Sequence, residues 1–206
     1  MKLLLSAGLL LCSYACATDI PAEFTSAGIV PDVLTKAPSE LLSATYKDGD
    51  KDKDVHFGEE LTPTIVKDPP ALSWMSEDSS HYAILMVDPD APSREDPKFR
   101  EMLHWLVANV PGSDLNKGEV IAEYAGSAPQ KETGLHRYVM LVFKQPDKLT
   151  IEEARISNRE RTGRPAFSVK AFAAKYKLGD PIAGNMFRAQ WDEYVPILRK
   201  QMGDES

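Results

Sequence analysis

Three ionisable side chains stand where apolar runs would deliver them to one place. Asp88 ends the run Tyr82-Ala83-Ile84-Leu85-Met86-Val87, His104 lies at the start of the run Leu103 to Val110, and His136 opens a third from Arg137 to Phe143. Two imidazoles and a carboxylate can ligate a metal, run acid/base chemistry or hold an anion. The metal reading lacks H-E-x-x-H or any comparable local spacing, so neither a metal nor a cofactor is expected. A nucleophile also lacks its signature: Ser127 lies in A-G-S-A-P rather than G-x-S-x-G, and Ser93 has no base beside it in sequence. The anion reading needs least. A histidine paired with a carboxylate has its cationic form favoured, and that cation can take a phosphate or carboxylate with help from backbone donors and a tyrosine hydroxyl. On this reading phosphate binding tightens as pH falls from about 8 to about 6. The small residues of Tyr124-Ala125-Gly126-Ser127-Ala128-Pro129 would bring backbone N–H groups close to a ligand. His56 and His81 read as structural.

The element that must hold Asp88 is V-D-P-D-A-P-S-R, Val87 to Arg94. Pro89 and Pro92 fix their own φ and push Asp88 and Ala91 toward extended geometry, so the backbone is stiff before any tertiary contact forms. A plain tight turn is the alternative, since Asp and Pro are ordinary turn residues. Asp90 and Arg94 read as the internal scaffold of this loop, an ion pair that keeps Asp88 in place.

Around these residues the pattern is that of many short strands with frequent turn signals, which points to a mainly β, β-rich α+β domain with two antiparallel sheets. Strand-like runs fall at Leu41–Tyr46, Glu60–Val66, Ala71–Trp74, Tyr82–Val87, Leu103–Val110 and Arg137–Phe143, and the charged run from Lys47 to Asp54 reads as a solvated hairpin tip. The stretch from Thr18 to Ser39 reads as an arm with one helical turn, anchored by Phe24, Ile29, Val30, Val33 and Leu34. Ser168 caps a helix through Tyr176 that Gly179 stops, and Asp192 to Met202 forms a last helix with Pro196 in its first turn.

The first residues, M-K-L-L-L-S-A-G-L-L-L-C-S-Y-A-C-A, have one basic residue, an apolar core and a small-x-small ending, the pattern of a secretory signal peptide over 1–17. The mature domain is then 18–206, secreted and extracellular. Both cysteines lie in that leader, so the mature chain rests on its core rather than on disulfides. No later apolar run is long enough to span a bilayer. The formal charge of −7 argues against a nucleic-acid partner.

The segments Asp88-Pro-Asp-Ala-Pro-Ser-Arg94, Glu95-Asp-Pro-Lys-Phe-Arg-Glu-Met-Leu-His-Trp105 and Gly134-Leu-His-Arg-Tyr138, with Trp191-Asp-Glu-Tyr-Val-Pro196 near the end, resemble the phosphatidylethanolamine-binding protein family, which includes the Raf kinase inhibitor proteins. The resemblance runs from about Leu41 to Pro196. It implies one domain of two antiparallel sheets with short helices, the last at the C-terminus, and a small pocket for phosphate-like anions. Its ligand-binding lining would be Asp88, Ala91, Pro92, Phe99, His104, Ala125, Gly126, Pro129, His136 and Tyr138, with a cis bond between Ala91 and Pro92. The implied function is a secreted monomer without turnover, whose partner is a phosphate-bearing small molecule or a phospholipid head group such as phosphatidylethanolamine. Other readings are a carrier of small odorant-like ligands, a peptidase or kinase-pathway inhibitor acting on a protein partner, and a hydrolase. Phe99 stands where many members have Tyr, Met102 and Leu103 where Trp and His often occur, and Arg199 where an aromatic can cover the mouth. These departures bear on lipid selectivity and leave the anion centre intact.

Overall fold

The computed structural model describes residues 19–203; the expected leader, with both cysteines and its cleavage point, lies outside the described residues. Helix α1 (Ile20–Ser26) is capped by Asp19, whose carboxylate accepts from the Ala22 N–H at 3.1 Å, and α2 (Ile29–Asp32) follows at once. The arm is thus more helical than one turn. Ile20 and Phe24, four residues apart, share the buried face of α1, which the proline-rich composition had obscured.

Strands β1 (Glu40–Leu41), β2 (Ser43–Asp48), β3 (Lys51–Asp54), β4 (Ala71–Ser73), β5 (His81–Asp88), β6 (Met102–Pro111), β7 (Glu119–Ala122) and β8 (His136–Lys144) come next. Helix α3 (Val169–Lys175), strand β9 (Ala183–Ala189) and helix α4 (Val195–Gln201) complete the order. The fold is mainly β. One sheet runs β1-β9-β8-β5-β6-β7 and the other β3-β2-β4, antiparallel throughout except for the parallel β1–β9 pair. The charged run is a hairpin tip, with Asp48 opposite Lys51. The expected strand at Glu60–Val66 is instead a turn in which Glu60 alone bridges to Arg188, as its Pro63 forecasts.

The large sheet is covered on both faces, which is why its central strands read as unbroken apolar runs. Ala83, Leu85 and Val87 of β5 and Val139, Leu141 and Phe143 of β8 meet the helices, with Phe24, Val169 and Phe172. The alternate residues Tyr82, Ile84, Met86, Tyr138, Met140 and Val142 meet the small sheet through Ala44 and Tyr46. A strand fixed on both faces cannot slip register without exposing one set. The ends of β5, β6 and β8 are therefore held in place relative to one another, and those ends carry Asp88, His104 and His136.

Helix α3 is capped twice. The Ser168 hydroxyl accepts from the Ala171 N–H at 3.2 Å, and the buried Glu101 carboxylate accepts from the Val169 N–H at 2.8 Å. Helix α4 starts three residues later than expected, because Asp192 turns away to accept from the N–H and hydroxyl of Thr64 at 2.9 and 2.7 Å.

Candidate functional site

The three strand ends and helix α4 enclose a cavity of about 70 Å³. A water-sized atom needs roughly 10–15 Å³ of such space, so the cavity holds on the order of five heavy atoms, the size of one phosphate group. Asp88, His104, His136 and Tyr138 form its floor, and all four are nearly inaccessible to solvent.

Each floor group is held by a specific partner. The Asp88 Oδ2 takes the His136 Nδ1 at 2.8 Å, while its Oδ1 accepts from the Asp90 N–H at 2.7 Å. The other His136 nitrogen, Nε2, meets the Thr133 Oγ1 at 2.9 Å, and that hydroxyl donates its single hydrogen to the Gln130 carbonyl at 2.8 Å. His104 differs: its Nδ1 faces the carbonyls of Ala125 and Gly126 at 2.9 and 3.1 Å, so the proton sits on Nδ1 and Nε2 keeps a lone pair. Burial pushes the His104 imidazole below its ordinary value, although the Asp88 charge pulls the other way, so the ring is neutral at pH 7. The His104 and Tyr138 rings pack at a steep angle with centroids 5.1 Å apart, and Tyr138 stacks on Phe187. Burial, with the Asp88 charge, raises the Tyr138 phenol well above its usual range, so it remains a donor.

Two buried arginines hold this frame from behind. Arg137 clasps Asp90 through Nε and a terminal nitrogen at 2.8 and 2.6 Å and reaches on to Asp32 at 2.8 Å and the Ala27 carbonyl at 2.9 Å. Burial works against the Asp90 charge, but the hydrogen bonds and charge of Arg137 outweigh it and hold the carboxyl below its ordinary value. Arg164 has no such carboxylate. Its five N–H donors meet the carbonyls of Glu160, Leu103, His104, Glu123 and Ser157 at 2.8–3.2 Å, and burial pushes it down to about 10. It ties the loop after Ser157 to the strand that carries His104.

Of the expected lining, Asp88, Ala91, Pro92, Phe99, His104, Pro129, His136 and Tyr138 all face the cavity, and the Ala91–Pro92 bond is cis. Ala125 and Gly126 do not line it; they sit behind His104 and fix its tautomer through their carbonyls. At Gly126 a Cβ would come within 2.8 Å of the Val66 carbonyl, so glycine here serves close packing rather than access to a ligand. The expected scaffold pair is also corrected. Asp90 bonds Arg137, the residue beside His136, whereas Arg94 is exposed and acts on Asp90 only as a more distant charge.

The rim holds what the residue pattern left unassigned: Gln130, Arg161 and Met202. The Arg161 guanidinium stands 5.1 Å from the centroid of the Phe99 ring. Arg199 also lines the cavity, and with the Gln130 amide oxygen turned toward it, that oxygen accepts from both terminal guanidinium nitrogens at 3.0 and 3.2 Å. The run Asn158-Arg-Glu-Arg-Thr-Gly-Arg164 packs three arginines into a chain of net negative charge, a signal that could have marked this segment.

Among known proteins, the family model described as phosphatidylethanolamine-binding protein matches residues 42–189. A Drosophila melanogaster protein that carries the name odorant-binding protein A5 is 44% identical over 84% of this chain and 81% of its own length. The 26 kDa secreted antigen of Toxocara canis is 38% identical over 81% of this chain and 63% of its own length. Among solved structures, the CG7054 solution structure matches with a TM-score of 0.69 at 49% identity, covering 84% of this chain and 97% of that one. A carboxypeptidase Y inhibitor, solved in complex with its cognate proteinase, matches with a TM-score of 0.70 at 25% identity, covering 85% and 98%.

Proposed function

Because this chain belongs to the phosphatidylethanolamine-binding protein family, we propose that it is a secreted binding protein whose cavity takes a phosphate group and does not turn it over. The observation that carries this reading is the cavity itself, sized for one phosphate and lined by neutral His104, the Asp88–His136 pair, Tyr138 and two arginines. Tyr138, Arg161 and Arg199 donate to phosphate oxygens, and the His104 Nε2 lone pair accepts the proton of a monoanionic phosphate. The sequence expected the charge of His104 and His136 to capture the anion. His104 is neutral, so the arginines take over its part, while His136 and Asp88 shape the wall.

Absence of turnover is this reading's own expectation: Asp88 and His136, which could attack a substrate, are engaged by each other and by Asp90 and Thr133. Ser127, the one serine in the small-residue loop, is fully buried. Secretion is supported by the leader pattern and by the relative named a secreted antigen. Whole odorants and acyl chains exceed the cavity, since sites for drug-sized ligands run to roughly 300–1,000 Å³.

Titration calorimetry of the chain from Thr18 onward with ethyl phosphate tests the reading. Wild type binds, and His136→Ala and Asp88→Asn each weaken binding by about tenfold or more. Binding that is equal in all three proteins places the ligand elsewhere and removes the proposal.

A further inference from the structure

A second recess, of about 550 Å³, lies between α3, the segment after α2 and the turn before β9. That volume falls within the roughly 300–1,000 Å³ of small-molecule sites. Its shape follows from the sequence of α3. Val169 and Ala173, four residues apart, share one face of the helix, with Ala174 beside them, and the two alanines leave room that larger side chains would fill. Leu34 forms the facing wall and Phe143 the floor, so the base of the recess is the apolar core itself. The charged residues around it are three lysines and one carboxylate, in a chain of net charge −7. Lys36 is spent on that carboxylate, Asp180, at 3.0 Å, and Lys170 donates to the Pro31 carbonyl at 2.6 Å. Lys177, just past the end of α3, has neither a hydrogen bond nor an ion pair among the described residues.

We infer that this recess is a second binding site, for an unbranched fatty carboxylate of medium chain length. The tail lies over Leu34, Phe143, Val169 and Ala173, and the carboxylate meets the ammonium of Lys177. An apolar tail needs only the core surface already there, while the surplus of lysines sets the sign of the head group. Lys177 is exposed, so water screens the pair and the charge adds a modest preference to binding that the tail provides. The recess shares no lining residue with the phosphate cavity among those described, so the two sites fill independently.

Calorimetry of the purified protein with octanoate, 1-octanol and octylamine measures this, since the three share a tail and differ in charge. The expected order of affinity is octanoate, then octanol, then octylamine, with about tenfold between the first and the last. Ala173→Phe fills the recess and weakens octanoate by about tenfold or more, with circular dichroism showing that the variant is folded. Lys177→Gln, at an exposed position, tests the site without touching the core and brings octanoate down to the level of octanol. Saturating ethyl phosphate leaves octanoate binding unchanged. Octylamine binding as tightly as octanoate overturns the inference, as does octanoate affinity that both variants leave unaltered. Displacement of octanoate by ethyl phosphate places the carboxylate in the phosphate cavity and overturns it too. A protein that sediments as a dimer, separates in Ala173→Phe and takes no octanoate assigns the recess to a second copy of the chain instead.

Discussion

On the floor of the cavity Asp88, His104 and His136 project from strand ends and are locked by hydrogen bonds within the protein, whereas at the rim Arg161 and Arg199 reach in from a loop and a short helix and are partly exposed. Floor groups cannot move without disturbing β5, β6 and β8, which are packed on both faces. The rim can change with little effect on the core. Geometry and stability are thus coupled at the floor, and ligand preference is free to vary above it. If this contrast holds, substitutions beneath the floor unfold the protein and substitutions at the rim retune it.

The largest effect is expected beneath the floor. Asp90→Ala leaves Arg137 buried without its main counter-charge, a change worth about 3–5 kcal/mol of stability in comparable sites. Urea denaturation reads this directly, and a loss below about 1 kcal/mol would put the floor on the same footing as the rim. The double variant Asp90→Leu/Arg137→Met removes both charges and recovers part of the loss.

Next comes Glu101, which is buried and caps α3. Burial raises its carboxyl to about 7, against 4.5 for the ordinary group. Between those values the folded chain keeps a proton that the unfolded chain has released, so stability is greatest at the acid side of this window and falls as pH rises through it. The difference is roughly 3 kcal/mol, at about 1.4 kcal/mol per unit. Glu101→Gln keeps the acceptor for the Val169 N–H and should flatten the dependence in denaturation curves taken between about pH 4.5 and 7. A slope that persists in the variant must arise from another group.

A smaller effect separates the two histidines. With Nδ1 committed to carbonyls and the ring held neutral, His104 offers a lone pair and demands a hydrogen from the ligand. Phosphate can supply one near neutral pH and sulfate cannot. Inorganic phosphate should bind about tenfold more tightly than sulfate, and its affinity should rise as pH falls from about 8 to about 6, with sulfate flat over the same range. The sign matches that expected from the sequence, but the proton arrives on the ligand rather than on His104. Equal binding of the two anions would mean that His104 donates after all.

Strands β5, β6 and β8 were legible because their apolar runs are continuous, and the convergence of Asp88, His104 and His136 was legible because each ends or opens such a run. Strand β9 was not, since Gly184 and Asn185 are residue types depleted in strands. A Cβ at Gly184 would come within 2.7 Å of the Phe24 ring, so the glycine answers to a residue far away in the chain, and no local pattern records that. Arg137 was read inside a motif and not as the partner of Asp90, because the pair joins two separate segments. Arg164 and Arg161 sit in an aperiodic loop, where residue type is visible and direction is not. What the sequence concealed was mostly contact between distant segments.

The smallest expected change sharpens the contrast from the rim side. Arg199→Gln removes a charge from the mouth, but the buried residues of α4 are Val195 and Leu198. The helix is anchored through them, so unfolding free energy should stay within about 0.5 kcal/mol of wild type, as for an ordinary partly exposed position. Its affinity for ethyl phosphate should nevertheless fall by about threefold, since the guanidinium reaches the cavity. A stability loss comparable to that of Asp90→Ala would show that α4 is part of the frame, and the division between floor and rim would have to be redrawn below the helix.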